Sequence, residues 1–263
     1  MSGARHMLAA ATPPQGAPGF DHVREWVFDL DNTLYCASHR LFDQIDRRMG
    51  EYLMRLFDVD AASAKRIQKD YYYRYGTTLH GLLRNNQIDD PDDYLAYVHD
   101  IDYSHIAPDP ALDRALANLA GRKWVFTNGS VAHAEAVLER LGVRSHIDEI
   151  FDVKAAGYVP KPAPQAFDAF FRRSGVAPRR SAMFEDIVRN LEEPHARGMV
   201  TVWVDHPANT DARQVCACSR GRPEESGETP PHVHYRTEHL TTFLNELTGE
   251  VAARKTSNNG ERA

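Results

Sequence analysis

The sequence predicts an α/β fold, with a doubly wound parallel sheet interrupted near its start by inserted helices. Two observations lead to this prediction. From residue 108 onward, short apolar runs alternate with helical patterns, as in parallel sheets whose strands are joined by helices. Between residues 35 and 107 the patterns are helical and no convincing strand is found. We therefore expect a sheet-containing core and an α-helical domain inserted after the first strand.

Length and composition agree with this organisation. With 263 residues, 42% of them apolar and 26% charged, the chain suffices for one large domain or a domain with an insert. Both ends are predicted to be disordered. The N-terminal residues are rich in Ala, Pro and Gly. The predicted divisions are a leader (1–19), a core (20–36 and 108–247), a helical cap (37–107) and a tail (248–263).

The first strand and the cap are predicted from apolar spacing. Trp26–Phe28 is an apolar run that ends in a turn, which is typical of a buried strand. Apolar residues then recur every three or four positions over 37–58, as on one face of a helix. Further helices are predicted at 61–75, after Thr77 and after Pro91, and Pro108 and Pro110 mark the return to the core.

The rest of the core is predicted as a regular alternation, with glycines and prolines at the helix ends. The predicted strands are 123–126, 149–153, 181–184, 199–204 and 233–235. The predicted helices are 111–119, 131–141, 162–174, 188–197 and 238–247, and residues 205–231 are predicted to form a long surface loop.

Two aspartates follow the first strand directly. Asp29 and Asp31 lie at its carboxyl end, where open α/β sheets bind their ligands. Like-charged carboxylates so close together require a cation or a shared proton, and Mg²⁺ prefers oxygen ligands of this kind. The alternative is a solvated turn, since Asp and Asn are common turn formers.

Three later segments also combine polar groups with a strand end or a helix start. Thr127-Asn128-Gly129-Ser130 joins a strand to a helix, as an anion site or as a plain helix cap. Lys161 precedes a proline-initiated helix, where surface lysines are common. Glu185 and Asp186 form a second acidic pair at a strand end.

In this order, the four segments resemble the four motifs of the haloacid dehalogenase (HAD) superfamily. The motifs are Asp-x-Asp-x-Thr after an apolar strand, a Ser or Thr ending a strand, Lys-Pro-x-Pro, and an acidic pair that is more often Asp-Asp. The resemblance spans residues 26–204 and implies a Rossmann-like HAD core with a helical cap, as in subfamily IA. Glu185 departs from the usual pattern, so the resemblance does not settle its contact with a metal.

The resemblance implies a role for each matching residue. Asp29 would be the nucleophile that forms an aspartyl-phosphate, and Asp31 would be the general acid and base. Thr127, with Asn128 beside it, and Lys161 would bind the phosphate. Asp29, Asp186 and the backbone carbonyl of Asp31 would bind Mg²⁺.

The second aspartate favours phosphate chemistry. Halide-removing members of the superfamily need only the first aspartate, so Asp31 indicates a phosphatase or a phosphomutase. Four carboxylates would outweigh Mg²⁺ and Lys161, so we predict that Asp31 is protonated, with a raised pKa, when substrate is bound.

The cap sequence suggests the substrate. Residues 71–83 carry four tyrosines, an arginine and a histidine, which suit either base stacking or amphipathic packing. Tyr-Gly-Thr-Thr-Leu, Gly81-Leu82 and the form of the first motif resemble the pyrimidine 5′-nucleotidase branch, which implies hydrolysis of UMP or CMP. The alternatives are a phosphatase for phosphoglycolate or a sugar phosphate, and a non-catalytic nucleotide-binding regulatory protein.

Charge and cysteine content limit the classes of partner and the cellular compartment that we expect for the protein. A net charge of −6 gives no general attraction for nucleic acid, and no apolar run is long enough for a membrane span. We therefore expect a small phosphorylated metabolite as the partner. Three cysteines argue against a disulfide framework and for the cytoplasm. Cys216, Cys218, His232 and His234 have an unusual spacing for a zinc site, and the two histidines fit a strand equally well.

Overall fold

The computed structural model describes residues 17–206 and 229–249 of the chain. Its sheet has six parallel strands: β1 (Glu25–Phe28), β2 (Arg122–Phe126), β3 (Glu149–Phe151), β4 (Ser181–Glu185), β5 (Val200–Val204) and β6 (Tyr235–Thr237). Their order across the sheet is β3-β2-β1-β4-β5-β6. The first strand therefore lies in the middle, between β2 and β4. This arrangement confirms the predicted α/β fold with a doubly wound parallel sheet.

Helices cover both faces of the sheet because strand side chains alternate in direction. Trp26 and Phe28 pack into one apolar cluster, whereas Val27 packs into the other. The first cluster is closed by α5 (Pro110–Asn118), α6 (Val131–Leu141) and α9 (residues 240–249). The second is closed by α7 (Pro164–Ser174) and by the 3-10 turn Val188–Leu191, which leads into α8 (Glu192–Ala196).

Helices fill the segment between β1 and α5. They are α1 (Leu41–Phe57), α2 (Ala61–Tyr75), α3 (Thr78–Arg84) and α4 (Pro91–Val98). Asp60, Thr77 and Asp90 cap α2, α3 and α4 by accepting backbone N–H groups, which explains where each helix begins. The helices share an apolar cluster of their own, with Leu53, Leu82 and Tyr94 buried in it. This segment contains the predicted helices; the exact domain boundaries stay a prediction.

Several element boundaries differ from the sequence predictions. The helix predicted from Pro162 begins at Pro164, and the strand predicted to reach Val153 ends at Phe151. The last strand is Tyr235–Thr237, in register with β5 through the pairing of Val202 with Tyr235.

The helix predicted over 188–197 also differs from the structure. A 3-10 turn at Val188–Leu191 precedes α8. Pro194 has no N–H to donate, so it is tolerated in the first turn of α8 but would interrupt a longer helix.

Among the described residues, no helix combines the length and apolarity needed to cross a membrane. Most of the predicted leader, loop and tail lies outside the described residues, as do Cys216 and Cys218. The two histidines of the zinc alternative bond protein groups instead: His232 Nε2 lies 3.1 Å from the Val188 carbonyl, and His234 Nδ1 lies 2.8 Å from Thr201 Oγ1.

Candidate active site

Adjacent strands bring the predicted residues to one edge of the sheet. Asp29 follows β1, Thr127 follows β2, and Glu185 and Asp186 lie at the end of β4. Because β1 pairs with both β2 and β4, their carboxyl ends meet. The Asp29 N–H donates to the Phe184 carbonyl at 2.9 Å, so the strand pairing extends to the first aspartate.

Lys161 joins the acidic groups of two strands. Its Nζ lies 2.6 Å from Asp29 Oδ1, 2.9 Å from Glu185 Oε1 and 2.7 Å from the Phe126 carbonyl oxygen. The side chain is 1% exposed, so Lys161 is not a solvated surface lysine. Burial alone would lower the pKa of the ammonium, but Asp29 and Glu185 raise it above its ordinary value. Lys161 therefore stays charged and holds the two carboxylates together.

Asp29 lies where its negative charge is disfavoured. Burial and the nearby Glu185 raise its pKa from 3.8 to about 7, although Lys161 acts in the opposite direction. Thr33 Oγ1 donates to Asp29 Oδ2 at 3.2 Å. Both oxygens are thus oriented by donors, one neutral and one charged.

Asp31 has a different environment. His133 Nε2 lies 2.8 Å from its Oδ1, and the Tyr35 hydroxyl donates to the same oxygen at 2.5 Å. Burial favours a higher pKa, but His133 and the Tyr35 hydrogen bond lower it to about 2. In this structure the pKa of Asp29 is raised and that of Asp31 is lowered. The raised pKa predicted for Asp31 concerns the substrate complex and stays a prediction.

Thr127 and Asn128 lie beside these carboxylates. The Thr127 side chain is buried, and its Oγ1 accepts the Gly129 N–H at 2.9 Å, so the hydroxyl proton points elsewhere. Asn128 bonds the backbone of Lys161 in both directions: its Oδ1 accepts the N–H at 2.8 Å, and its Nδ2 donates to the carbonyl at 3.3 Å. The Asn128 side chain thus positions Lys161, and its predicted contact with phosphate stays a prediction.

A buried acidic cluster is suited to hold a metal ion. Asp29, Glu185 and Asp186 are buried, and each offers a carboxylate oxygen within 4.8 Å of the others. These are hard oxygen donors, and a divalent cation would offset a repulsion that burial makes costly. The donor set therefore fits Mg²⁺. The predicted ligand set stays a prediction, since it uses the Asp31 backbone carbonyl and not its carboxylate.

Glu185 has a second function besides any contact with a metal. Its Oε1 also accepts from Asn190 Nδ2 at 2.6 Å, and its Oε2 accepts the Ile187 N–H at 2.8 Å. These bonds fix the turn after β4, which carries Asp186. The departure from the usual Asp-Asp pair thus gives a carboxylate long enough to reach Lys161.

The sequence analysis missed the residues around Asp31, above all His133. This imidazole is fully buried on α6, four and eight positions before the buried Val137 and Leu141. A histidine at an apolar position of an otherwise amphipathic helix was the available signal. His99 of the cap segment stacks on it, with ring centroids 4.5 Å apart.

Asp29, Asp31, Glu185 and Asp186 line a cavity of about 260 Å³ that extends to the helical segment. Its apolar lining includes side chains of α1 to α4, namely Phe42, Ile45, Met49, Tyr72, Leu79, Tyr94, Leu95 and Val98. Gln68 and Lys69 of α2 and Arg189 of the core also line it. A ligand with an anionic end and an apolar body matches this distribution.

Comparison with known proteins supports the family that the four motifs resemble. The model of the haloacid dehalogenase-like hydrolase family matches residues 26–193, which is more than half of the chain. Phosphate metabolism protein 8 of Saccharomyces cerevisiae is 29% identical over 204 residues. That match covers 71% of this chain and 63% of the yeast protein, so the chain spans less than two thirds of its relative.

Solved structures share the fold. A HAD phosphatase from Thermococcus onnurineus superimposes with a TM-score of 0.55 at 15% identity, covering 87% of this chain and 98% of the other. L-2-haloacid dehalogenase from Xanthobacter autotrophicus gives a TM-score of 0.52 at 17% identity, covering 86% and 99%. At such identities the likeness concerns the fold alone.

Proposed function

Because the chain belongs to the haloacid dehalogenase-like hydrolases, we propose that it is a magnesium-dependent phosphatase for small phosphate monoesters. The observation that carries this proposal is the buried contact of Lys161 with Asp29 and Glu185, beside Asp31 and Asp186. Phosphoryl transfer depends chiefly on positioning and charge stabilisation, which such a site supplies. The second aspartate favours phosphate esters over organic halides as substrates.

In the proposed reaction, a carboxylate oxygen of Asp29 attacks phosphorus and forms an aspartyl-phosphate. The bond from phosphorus to the ester oxygen breaks, and the leaving oxygen takes a proton from Asp31. Water then attacks phosphorus and gives a proton back to Asp31. Phosphate leaves, and Asp29 is regenerated.

The remaining residues balance charge and orient the phosphate. Lys161 orients Asp29 and offsets negative charge, and the Thr127 hydroxyl lies in the same cavity to donate to a phosphate oxygen. A Mg²⁺ ion held by Asp29, Asp186 and the Asp31 carbonyl would reduce repulsion between the phosphate and the carboxylates.

For the substrate, we propose a pyrimidine nucleoside 5′-monophosphate, UMP or CMP. The resemblance of the cap to pyrimidine nucleotidases supports this, as does Gln68. Its side chain is 7% exposed and its Nε2 donates to Asp46 at 2.9 Å, but its Oε1 has no hydrogen-bond partner within the described residues. Gln68 lines the cavity beside the Lys65–Asp46 ion pair, and rotation of its amide would present this acceptor to the N3–H of uracil or the amino group of cytosine.

Phosphoglycolate or a sugar phosphate is the second candidate. Lys69 and Arg189 line the same cavity and would suit a carboxylate or hydroxyl groups on the non-reacting part of the substrate. The Gln68 acceptor is less useful for phosphoglycolate, because its carboxylate has no proton to donate, whereas the hydroxyl groups of a sugar phosphate could donate to it. Gln68 therefore separates the nucleotide from phosphoglycolate and not from a sugar phosphate.

The test is phosphate release by the purified protein with Mg²⁺ from UMP, CMP, dUMP, AMP, GMP, phosphoglycolate and sugar phosphates, each with an EDTA control. We expect chelator-sensitive release that is fastest from UMP or CMP and falls about tenfold in a Gln68→Met variant. Faster release from phosphoglycolate would replace the nucleotide assignment. Nucleotide binding without any release would instead support a non-catalytic protein.

A further inference from the structure

A chain of buried and half-buried polar groups contacts Asp31. His133 and Tyr35 both contact Asp31 Oδ1, at 2.8 and 2.5 Å. Within residues 17–206 and 229–249, no hydrogen bond to the other oxygen, Oδ2, is found, and Asp31 lines the cavity. Two donors on one oxygen fix the rotation of the carboxylate. They leave Oδ2 as the oxygen that can reach a substrate.

The His133 ring is itself held in place. The Tyr103 hydroxyl lies 3.0 Å from its Nδ1 and also donates to the His99 carbonyl at 3.0 Å. The His99 ring stacks on the His133 ring with an interplanar angle of 13°, and its Nδ1 lies 3.0 Å from Ser130 Oγ. The hydrogen bonds therefore fix the His133 ring within its own plane, and stacking against His99 restricts movement perpendicular to that plane.

These supporting groups come from different parts of the chain. Tyr35 follows the first motif, and His133 lies on α6 of the core. His99 and Tyr103 lie just after α4, at the end of the helical segment. The orientation of Asp31 is thus set where the helical segment meets the core, by groups outside the four motifs.

We propose that His133 and Tyr35 are positioning residues that direct Asp31 Oδ2 toward the leaving oxygen of the substrate. This inference rests on the proposed phosphatase function and on the role of Asp31 as the general acid. Proton transfer requires hydrogen-bond reach in the reacting complex, and small misplacements of a catalytic group lower the rate strongly. Loss of either donor should therefore resemble a partial loss of Asp31.

Leaving-group dependence provides the test. An alkyl ester such as UMP or glycerol phosphate needs its leaving oxygen protonated, whereas p-nitrophenyl phosphate does not. For His133→Leu we expect kcat/KM, which reports the steps up to departure of the leaving group, to fall about 100-fold on the fastest alkyl ester and by no more than about threefold on p-nitrophenyl phosphate. His133→Gln, which keeps a donor, should recover about tenfold, and Tyr35→Phe should lose about tenfold on the alkyl ester.

A double variant tests whether His133 acts through Asp31. In an Asp31→Asn background, His133→Leu should lower the rate no further, because the group it positions is already absent. His234→Gln is the matched control, since it replaces a hydrogen-bonded imidazole that bonds Thr201 and does not line the cavity. We expect the control to change neither rate.

Equal losses on both esters, or additive losses in the double variant, would overturn the positioning role. If His133→Leu does not fold, the folded Tyr35→Phe protein decides, and an unchanged ratio of the two rates would overturn the proposal. If the unaltered chain hydrolyses neither ester, the proposed phosphatase function fails first, and the positioning role with it. The two failures are thus distinguishable by the activity of the unaltered protein.

Discussion

At the scale of single residues, Asp29 is held in an environment that disfavours its charge. It is buried next to Glu185, and its pKa is raised to about 7 even though Lys161 lies 2.6 Å away. A cation that binds beside such a carboxylate stabilises its negative charge, and attack on an electrophilic phosphorus removes that charge. The position is therefore better explained by chemistry than by the stability of the folded chain.

Replacing Asp29 tests this conflict between function and stability. Asp29→Asn should reduce phosphate release by at least about 10⁴-fold, since the amide is a poor nucleophile. The free energy of unfolding without metal should stay the same or rise by about 1 kcal/mol, because a crowded charge is removed. Activity assays and urea unfolding would check both parts. A strongly destabilised Asp29→Asn protein would contradict the charge argument.

Replacing Lys161 should have the opposite effect on stability. Lys161→Met leaves Asp29 and Glu185 buried without their shared cation, which should cost about 3–5 kcal/mol of unfolding free energy at neutral pH. Lys161 lowers the pKa of Asp29, so its loss raises that pKa further above 3.8. A raised carboxylate pKa favours folding at low pH and disfavours it as the pH rises.

The deficit of Lys161→Met should therefore be largest at mildly alkaline pH and shrink as the pH falls to about 7, below which Asp29 binds a proton in both folded proteins. Urea unfolding across this range would measure it. Lys154→Met is a control on an exposed lysine that pairs with Asp92. A deficit independent of pH would contradict the electrostatic explanation.

At this scale the sequence predicted the four motif segments, because each carries its residues within a few positions of a strand end or a helix start. It did not predict His133, whose partner Asp31 is 102 positions away along the chain. It also assigned Asn128 to phosphate alone, since nothing local indicates that its side chain bonds Lys161. Contacts between distant segments follow from the packed sheet and not from spacing.

At the scale of elements, a close contact between α2 and α3 shapes the helical segment. A Cβ atom at Gly81 would lie 2.5 Å from Tyr71 Cβ and Cγ. Real atoms do not approach so closely, so only glycine allows α3 to pack here against α2. Thr77, Thr78 and Leu79 of this region line the cavity, so the contact also affects the substrate site.

Two glycine substitutions separate packing from helix propensity. Gly81→Ala should lower the unfolding free energy by about 1–3 kcal/mol. With p-nitrophenyl phosphate as substrate, it should raise KM by a larger factor than it lowers the rate. Gly50→Ala on α1 has nothing within 4 Å of the new Cβ and should stabilise by about 0.5–1 kcal/mol. Thermal unfolding of both variants would measure this. Equal effects at the two positions would contradict the packing argument.

The starts of α2, α3 and α4 were the most predictable boundaries, since Asp60, Thr77 and Asp90 are local caps. The ends of β3 and β6 were less predictable, because pairing with a neighbouring strand decides them. Pro194 was visible in the sequence, yet its effect on the helix after β4 depends on where the first turn of α8 falls.

At the scale of the whole molecule, strand order places the site. The chain moves from β1 to β2 and β3 on one side and then to β4, β5 and β6 on the other. Ligands of open α/β sheets bind where the order reverses, outside the carboxyl ends of the strands. Asp29 and Asp186 follow the two strands at this point. Alternation of strands and helices predicted the sheet, but not which strands would be neighbours.

Metal binding should stabilise the folded molecule, because the acidic cluster exists only when β1 and β4 are paired. At about 100 times its dissociation constant, Mg²⁺ should add about 2.7 kcal/mol of unfolding free energy. Asp186→Asn should lose most of this gain, whereas Asp168→Asn, a change to an exposed acid of α7 that pairs with Arg197, should keep it. Melting curves with Mg²⁺ or EDTA would show whether the two variants differ.

The measurement that tests the central claim most directly is phosphate release from UMP and p-nitrophenyl phosphate by the unaltered and Asp29→Asn proteins. Each is assayed with Mg²⁺ and with EDTA, after both are shown to be folded. We predict release only by the unaltered protein and only with Mg²⁺. Release by Asp29→Asn at the same rate, or release that EDTA leaves unchanged, would contradict the account of this site.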